Sequence, residues 1–206
     1  MRSSPDADTE PAARGRPREF DVDAALDRAI RVFSERGYHA TSIGDLTAAT
    51  GLASGSVYKA FQDKRGLFLA ALERYKSVRD AALRRAIAPG GTGRERLRLA
   101  LAFYADASHG PLGRMGCMVV TAATELGTFD DELARWLAQT LARIETVLAG
   151  LLREGLEDGS VPAGTEVAAT ARALLCVVQG MRVVGKTGRP RKDMRALVDV
   201  AMKMVG

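Results

Sequence analysis

From Val22 to the end of this 206-residue chain, apolar residues recur every three or four positions, and nowhere do they alternate one-in-two over the length of a strand. That period lays apolar side chains along one face of a helix and cannot serve a pleated strand, so the expected fold class is all-α. Val22, Leu26, Ala29, Ile30 and Phe33 share the first such face, with Asp27, Arg28, Arg31 and Glu35 opposite, and Gly37 stops the helix as a C-cap glycine. Thr41 or Ser42 caps the next helix, which runs through Leu46 to Thr50 and ends at Gly51. A third covers Ser54 to Phe61, and Asp63 caps a fourth whose buried stripe is Leu67, Phe68, Ala71, Leu72 and Tyr75.

The loop at Ala88–Gly93 opens a second series: a helix over about 94–108, a break at His109-Gly110-Pro111, and a helix over about 117–126. Asp130 or Asp131 then starts a long helix with Leu133, Leu137, Leu141, Ile144, Leu148 and Leu151 at heptad-like spacing. Helices near 166–184 and 192–205 finish the chain.

Composition narrows the function classes. With 47% apolar residues the chain can bury a real core, and a net charge of +5 is compatible with a polyanionic partner. The polar stretch Met1 to Pro11 has no apolar h-region, and the longest apolar runs are broken by Arg, Gln, Thr or Glu, so neither a secretory signal nor a membrane span is expected. Cys117 and Cys176, far apart and on different helices, are expected as reduced thiols in a cytoplasmic protein, with Cys176 in the core. The two histidines, His39 and His109, fall in loops, and no metal-ligand cluster, dinucleotide loop or Walker loop occurs. Gly51-Leu52-Ala53-Ser54-Gly55 has the wrong spacing for a nucleophile elbow and no strand before it. No enzyme, cofactor or metal site is expected.

Three short helices ahead of a longer one suit a helix-turn-helix. Ala48 and Ala49 keep the first helix of the pair thin at the crossing, Gly51 supplies a residue that tolerates positive φ, and Leu52 pins the turn inward. Ser54, Gly55 and Ser56 let the second helix approach DNA closely, while Val57 and Phe61 face inward and leave Tyr58 and Lys59 outward.

The stretch from Phe33 to Phe68, FSERGYHATSIGDLTAATGLASGSVYKAFQDKRGLF, resembles the DNA-binding head of the TetR family of repressors. The landmarks are Gly37, Tyr38, Thr41, Ser42, Ile43, Leu46, Gly51, Gly55, Ser56, Val57, Tyr58, Phe61, Lys64 and Leu67. Ala53 stands where the family often has a capping Ser, and Lys59 and Ala60 replace frequent ring-bearing residues. The resemblance implies Tyr58 and Lys64 on phosphates, Thr41 and Ser42 adding contacts at a helix N-terminus, and Ser54, Gly55, Ser56 and Lys59 along the major groove, Lys59 donating to guanine. Two roles stay open for Arg16 and Arg18 in the basic string Arg14 to Arg18: a minor-groove hook or a solvated leader. The implied organisation is a flexible basic arm over 1–18, the head over 19–66, and a ligand-binding and dimerisation body over 67–206.

By the same resemblance the last two helices pair with a second copy, through Ala169, Ala173, Val177 and Gly180 on one and Leu197, Val198 and Ala201 on the other. The implied partners are a near-palindromic operator in double-stranded DNA, a second copy of the chain and a small-molecule inducer. Met115-Gly116-Cys117-Met118 resembles a segment of a family subset that senses electrophiles through a thiol; Cys117 is then either such a sensor or a small buried hydrophobe. Phe103, Tyr104, Met118 and Trp136 are, with Cys117, the candidate pocket residues. A non-catalytic helical adaptor or a non-specific DNA-binding protein is the alternative, and the recognition helix speaks against it.

Overall fold

The computed structural model describes residues 21–126 and 130–206; the arm with Arg16 and Arg18 lies outside the described residues. Among the described residues the chain forms ten α-helices and two 3-10 turns, with no strand. Helix α1 (Val22–Arg36) starts where the Asp21 carboxylate accepts from the Ala24 amide at 3.0 Å. It buries Ala25, Leu26, Ala29 and Phe33, whereas Val22, in its first turn, looks into solvent. Helix α2 (Ile43–Thr50) is capped by Ser42, whose hydroxyl accepts from the Asp45 amide while the Asp45 carboxylate accepts from the Ser42 amide. Gly51 turns the chain at φ 72°, ψ 14°, the left-handed region where a side chain is strained, and leads into α3 (Ser54–Phe61). Helix α4 (Lys64–Ile87) is capped by Asp63, as expected.

Phe33 and Phe68 meet edge to face at 4.9 Å and, with Leu46 and Val57, fill the space between α1, α2, α3 and α4. That core does not stop at residue 66. Met118, Val119 and Ala122 of α7 (Met118–Glu125) and Leu133 and Leu137 of α8 (Asp131–Glu157) belong to the same buried cluster. The head therefore rests on α7 and the first turns of α8, and not on α4 alone.

The second core lies among α5 (Gly93–Asp106), α8, α9 (Val167–Val184) and α10 (Arg191–Met202), around Leu97, Leu101, Leu148, Leu152 and Leu174. The expected break at His109–Pro111 is instead a short helix, α6 (Gly110–Met115). Pro111 sits in its first turn, where a missing N–H goes unnoticed.

Two expectations about the last helices are corrected. Cys176 is exposed: it lies inside an apolar run, but α9 turns only one stripe of that run, Ala171, Leu174 and Val178, toward α5 and α8. The opposite stripe, with Ala169, Ala173, Cys176 and Gly180, is left uncovered, and Val177 is half-buried. On α10, Leu197 and Val200 share that exposure, whereas Val198 and Ala201 are buried in the chain's own core and cannot meet a partner. Among the described residues, 167–187 form one helical stretch long and apolar enough to cross a membrane by length and composition, and in the fold it packs its buried stripe against α5 and α8.

Asp130 joins α8 to the head. Its carboxylate caps α8 by accepting from the Leu133 amide and receives Arg65 Nε and Nη2 of α4 at 2.8 and 3.0 Å. Arg65 and the Leu133 amide hold the Asp130 carboxyl down at about 2. Because the folded value lies below the unfolded one, this stabilisation is complete above about pH 4 and is lost as pH falls toward 2. Urea midpoints of wild type and Asp130→Asn should thus differ by a constant amount near neutrality and converge as the pH approaches 2.

Candidate nucleic-acid interface and adjoining cleft

Helix α3 presents its outer face freely. Ser54, Gly55, Tyr58 and Lys59 are exposed, Tyr58 by 51%, and Ser56 is half-buried, while Val57 anchors the helix underneath. No side chain caps α3, because Ala53 has nothing to offer its first amides. Ser42 is exposed at the start of α2.

Two residues expected at this face are engaged elsewhere. Thr41 is only 1% exposed and its hydroxyl donates to the Gly37 carbonyl at 2.6 Å, so its side chain locks the α1–α2 turn and cannot reach a phosphate. Lys64 donates to the carbonyls of Tyr38 and Thr41, each at 3.0 Å, with its ammonium 4.2 Å above the Tyr38 ring. Its charge ties α4 to the α1–α2 turn.

A narrow cleft of about 40 Å³ lies in the body between α4, α5, the start of α7, α8 and α9. Tyr75, Tyr104 and Cys117 line it, together with Arg79, Arg143 and Arg182. Of the other expected pocket residues, Phe103 lies beneath the Arg79 guanidinium, Met118 is wholly buried, and Trp136 borders an adjoining shallow depression that shares Lys76, Thr140 and Arg143 with the cleft, where its indole N–H donates to Glu73.

Cys117 is the N-cap of α7 and is 7% exposed. The Tyr75 hydroxyl lies 3.4 Å from its sulfur. Burial pushes the thiol up, but the Arg182 guanidinium and the Tyr75 hydroxyl outweigh it and bring the Cys117 pKa below its ordinary value. Burial likewise holds the two tyrosines neutral, Tyr104 being pushed up to about 12. Arg182 is 5% exposed and donates to the carbonyls of Ala107 and Gly116, so it fixes the chain on both sides of α6, directly before Cys117.

The far end of α7 reaches the head. The Glu125 carboxylate accepts from the backbone amides of Tyr38 and His39 at 2.8 and 3.1 Å. Gly37 makes room for it, since a Cβ there would fall 2.1 Å from Glu125 Oε1. One eight-residue helix thus has the cleft thiol at one end and the α1–α2 turn at the other.

Residues 25–71 match the family described as bacterial regulatory proteins, tetR family, and residues 93–200 match the tetracyclin repressor-like C-terminal domain. The chain belongs to the TetR family. It is 32% identical over 196 residues to the HTH-type transcriptional repressor ComR of Escherichia coli (strain K12), covering 93% of this chain and 92% of that relative. It is 30% identical over 192 residues to the HTH-type transcriptional regulator YezE of Bacillus subtilis (strain 168), covering 93% and 99%. The TetR-family regulator CifR, in a cysteine-substituted form complexed with 26-bp operator DNA, superposes with a TM-score of 0.82 at 30% identity, covering 92% of this chain and 98% of CifR. The all-α architecture is therefore that of the TetR fold, and the chain is a helix-turn-helix transcriptional regulator.

Sequence reasoning missed Arg79, Arg182 and Glu125 in this TetR-family protein. Arg182 carried a signal: it is the one charge in the run from Ala173 to Val184. A cation kept inside such a run marks either a buried ion site or a bond to backbone carbonyls. The thiol's environment is open to test. Alkylation of Cys117 by iodoacetamide, followed by peptide mass spectrometry against pH, should show a midpoint below that of an ordinary thiol. Tyr75→Phe removes the donor to sulfur and should move the midpoint to higher pH; an unmoved midpoint would mean that the hydroxyl does not stabilise the thiolate.

Proposed function

We propose that this protein is a homodimeric repressor that reads a near-palindromic operator with α3 and lets it go when a small molecule or electrophile occupies the cleft beside Cys117. The observation that carries this reading is α7, whose two ends are a cleft residue and the grip on the α1–α2 turn. Anything that moves Cys117 along the helix axis pulls on the backbone at Tyr38 and His39. That displacement tilts the head and changes the spacing of the two recognition helices. Release follows only if the effector prefers the tilted state, since equal affinity for both states shifts nothing. A thiolate held by Arg182 and Tyr75 makes Cys117 a fit target for an electrophile.

The uncovered stripes of α9 and α10 support the dimer. Ala173, Cys176 and Gly180 permit close approach, with Leu197 and Val200 beside them, and pairing two copies there gives a four-helix bundle that excludes water. In the head, Ser54, Gly55, Ser56 and Lys59 lie in the major groove, Tyr58 and Ser42 contact phosphates, and the uncapped start of α3 offers its amides to the backbone. Lys64 acts chiefly by holding the α1–α2 turn against α4. Arg16 and Arg18 extend the contact into the adjacent minor groove. The work is binding and not catalysis, carried out in the cytoplasm and on the nucleoid. ComR is named a repressor and CifR is described with operator DNA, and both uses suit this head.

The test is a binding-site selection from random DNA. Wild type should recover inverted half-sites about one helical turn apart or slightly more. Lys59→Ala should relax one position per half-site, a cost of about 1–3 kcal/mol there. Val200→Asp should fold yet recover no palindrome. Identical logos for wild type and Lys59→Ala would remove Lys59 as a base reader, and a palindrome selected by a monomeric Val200→Asp would remove the proposed dimer face.

A further inference from the structure

The cleft has more positive charge than its own residues neutralise. Two of its cations are matched: Arg143 by Asp80 at 2.9 Å, and Lys76 by Glu73 at 2.7 Å. The other two, Arg79 and Arg182, have no carboxylate partner among the described residues. Arg182 uses its two terminal nitrogens on the Ala107 and Gly116 carbonyls and leaves Nε buried with no hydrogen-bond partner. Arg79 rests 4.1 Å over the face of Phe103 and leaves Nη2 buried with none. Both arginines line the same cleft, as do Tyr75 and Tyr104. A thiolate at Cys117 answers one of these charges at most. Two buried cationic donors without partners are costly in an empty site and are matched when an anion enters.

We infer that the cleft takes a small organic carboxylate, held by Arg79 and Arg182, with a short apolar or aromatic body packed on Val119, Ile144 and the Tyr104 ring. This rests on reading the cleft as the effector site. Arg79 Nη2 and Arg182 Nε each have a charge-assisted N–H free to donate, which suits the two oxygens of a carboxylate; the apolar part of the lining suits the rest of the molecule. A carboxylate on Arg182 competes with the Cys117 thiolate for the same charge, so its binding must raise the Cys117 pKa and protect the sulfur. Carboxylate and electrophile are thereby mutually exclusive occupants.

The probes are benzoate, phenylacetate and 3-phenylpropionate, each beside its neutral amide, titrated calorimetrically into the full-length protein without DNA. At least one carboxylate should bind about tenfold or more tighter than its amide, the gain expected of a charge-assisted pair over a neutral one. That carboxylate, and not its amide, should slow Cys117 alkylation in wild type at neutral pH, a measurement that needs no variant. Arg79→Gln should bring the acid and amide affinities together. Equal affinities in wild type, no binding of any of the three acids at millimolar concentration, or a preference unchanged in Arg79→Gln would each overturn the inference. A gel shift with operator DNA separates this from the effector reading. Carboxylate binding with no loss of operator affinity would sustain the anion site and overturn the cleft as effector site. Release by the neutral amides, without preference for the acids, would do the reverse.

Discussion

The arrangement depends on one carboxylate. Glu125 accepts from two consecutive backbone amides, those of Tyr38 and His39, at the turn between the first two helices of the DNA-binding head. Backbone donors in a turn have few other places to go, and a charged acceptor satisfies both at once. The contact places the end of α7 against the non-helical turn between α1 and α2. Thr41 and Lys64 reinforce the same turn from inside, through the Gly37, Tyr38 and Thr41 carbonyls. The turn is thus over-determined from the head side and steered from the body side.

At the other end of α7 the constraint is electrostatic. Arg182 is buried, and its bonds to Ala107 and Gly116 fix α6 and the residue just before Cys117. The same charge lowers the cost of a thiolate at Cys117. Packing around α7 is shared with the head, since Met118, Val119 and Ala122 belong to the cluster that holds Phe33 and Phe68. Close-packed cores do not deform continuously, so in the proposed function a disturbance at Cys117 is passed on as a movement of the helix.

The head could be read from the sequence because its determinants are local. Gly37, Ser42, Gly51 and Asp63 mark helix ends by capping and turn chemistry that acts over a few residues, and the three-four spacing of Leu26, Ala29 and Phe33, and of Phe68, Ala71 and Leu72, marks the buried faces. The site in the body was only half readable. Cys117 and Tyr104 line the cleft, but Arg79, Arg182 and Glu125 escaped notice, because a charge in one dimension reads as a solvated face. Their partners lie far away along the chain: Arg182 meets Gly116 across 66 residues and Glu125 meets Tyr38 across 87. Cys176 misled in the opposite direction. An apolar run reads as core, yet a helix packed on one side shows the other side of that run to a partner or to solvent.

In the proposed function, α7 carries the state of the cleft to the DNA-reading head through Glu125. The direct measurement is operator affinity before and after alkylation of Cys117 with N-ethylmaleimide, in a Cys176→Ser background, with and without Glu125→Ala. Coupling between the sites of about 1–3 kcal/mol corresponds to a roughly 5- to 150-fold loss of affinity on alkylation. That ratio should be large with Glu125 present and fall close to one in Glu125→Ala, whatever the starting affinity of the variant. The same fold-loss in both proteins would contradict the account, because the signal would then reach the head by another route.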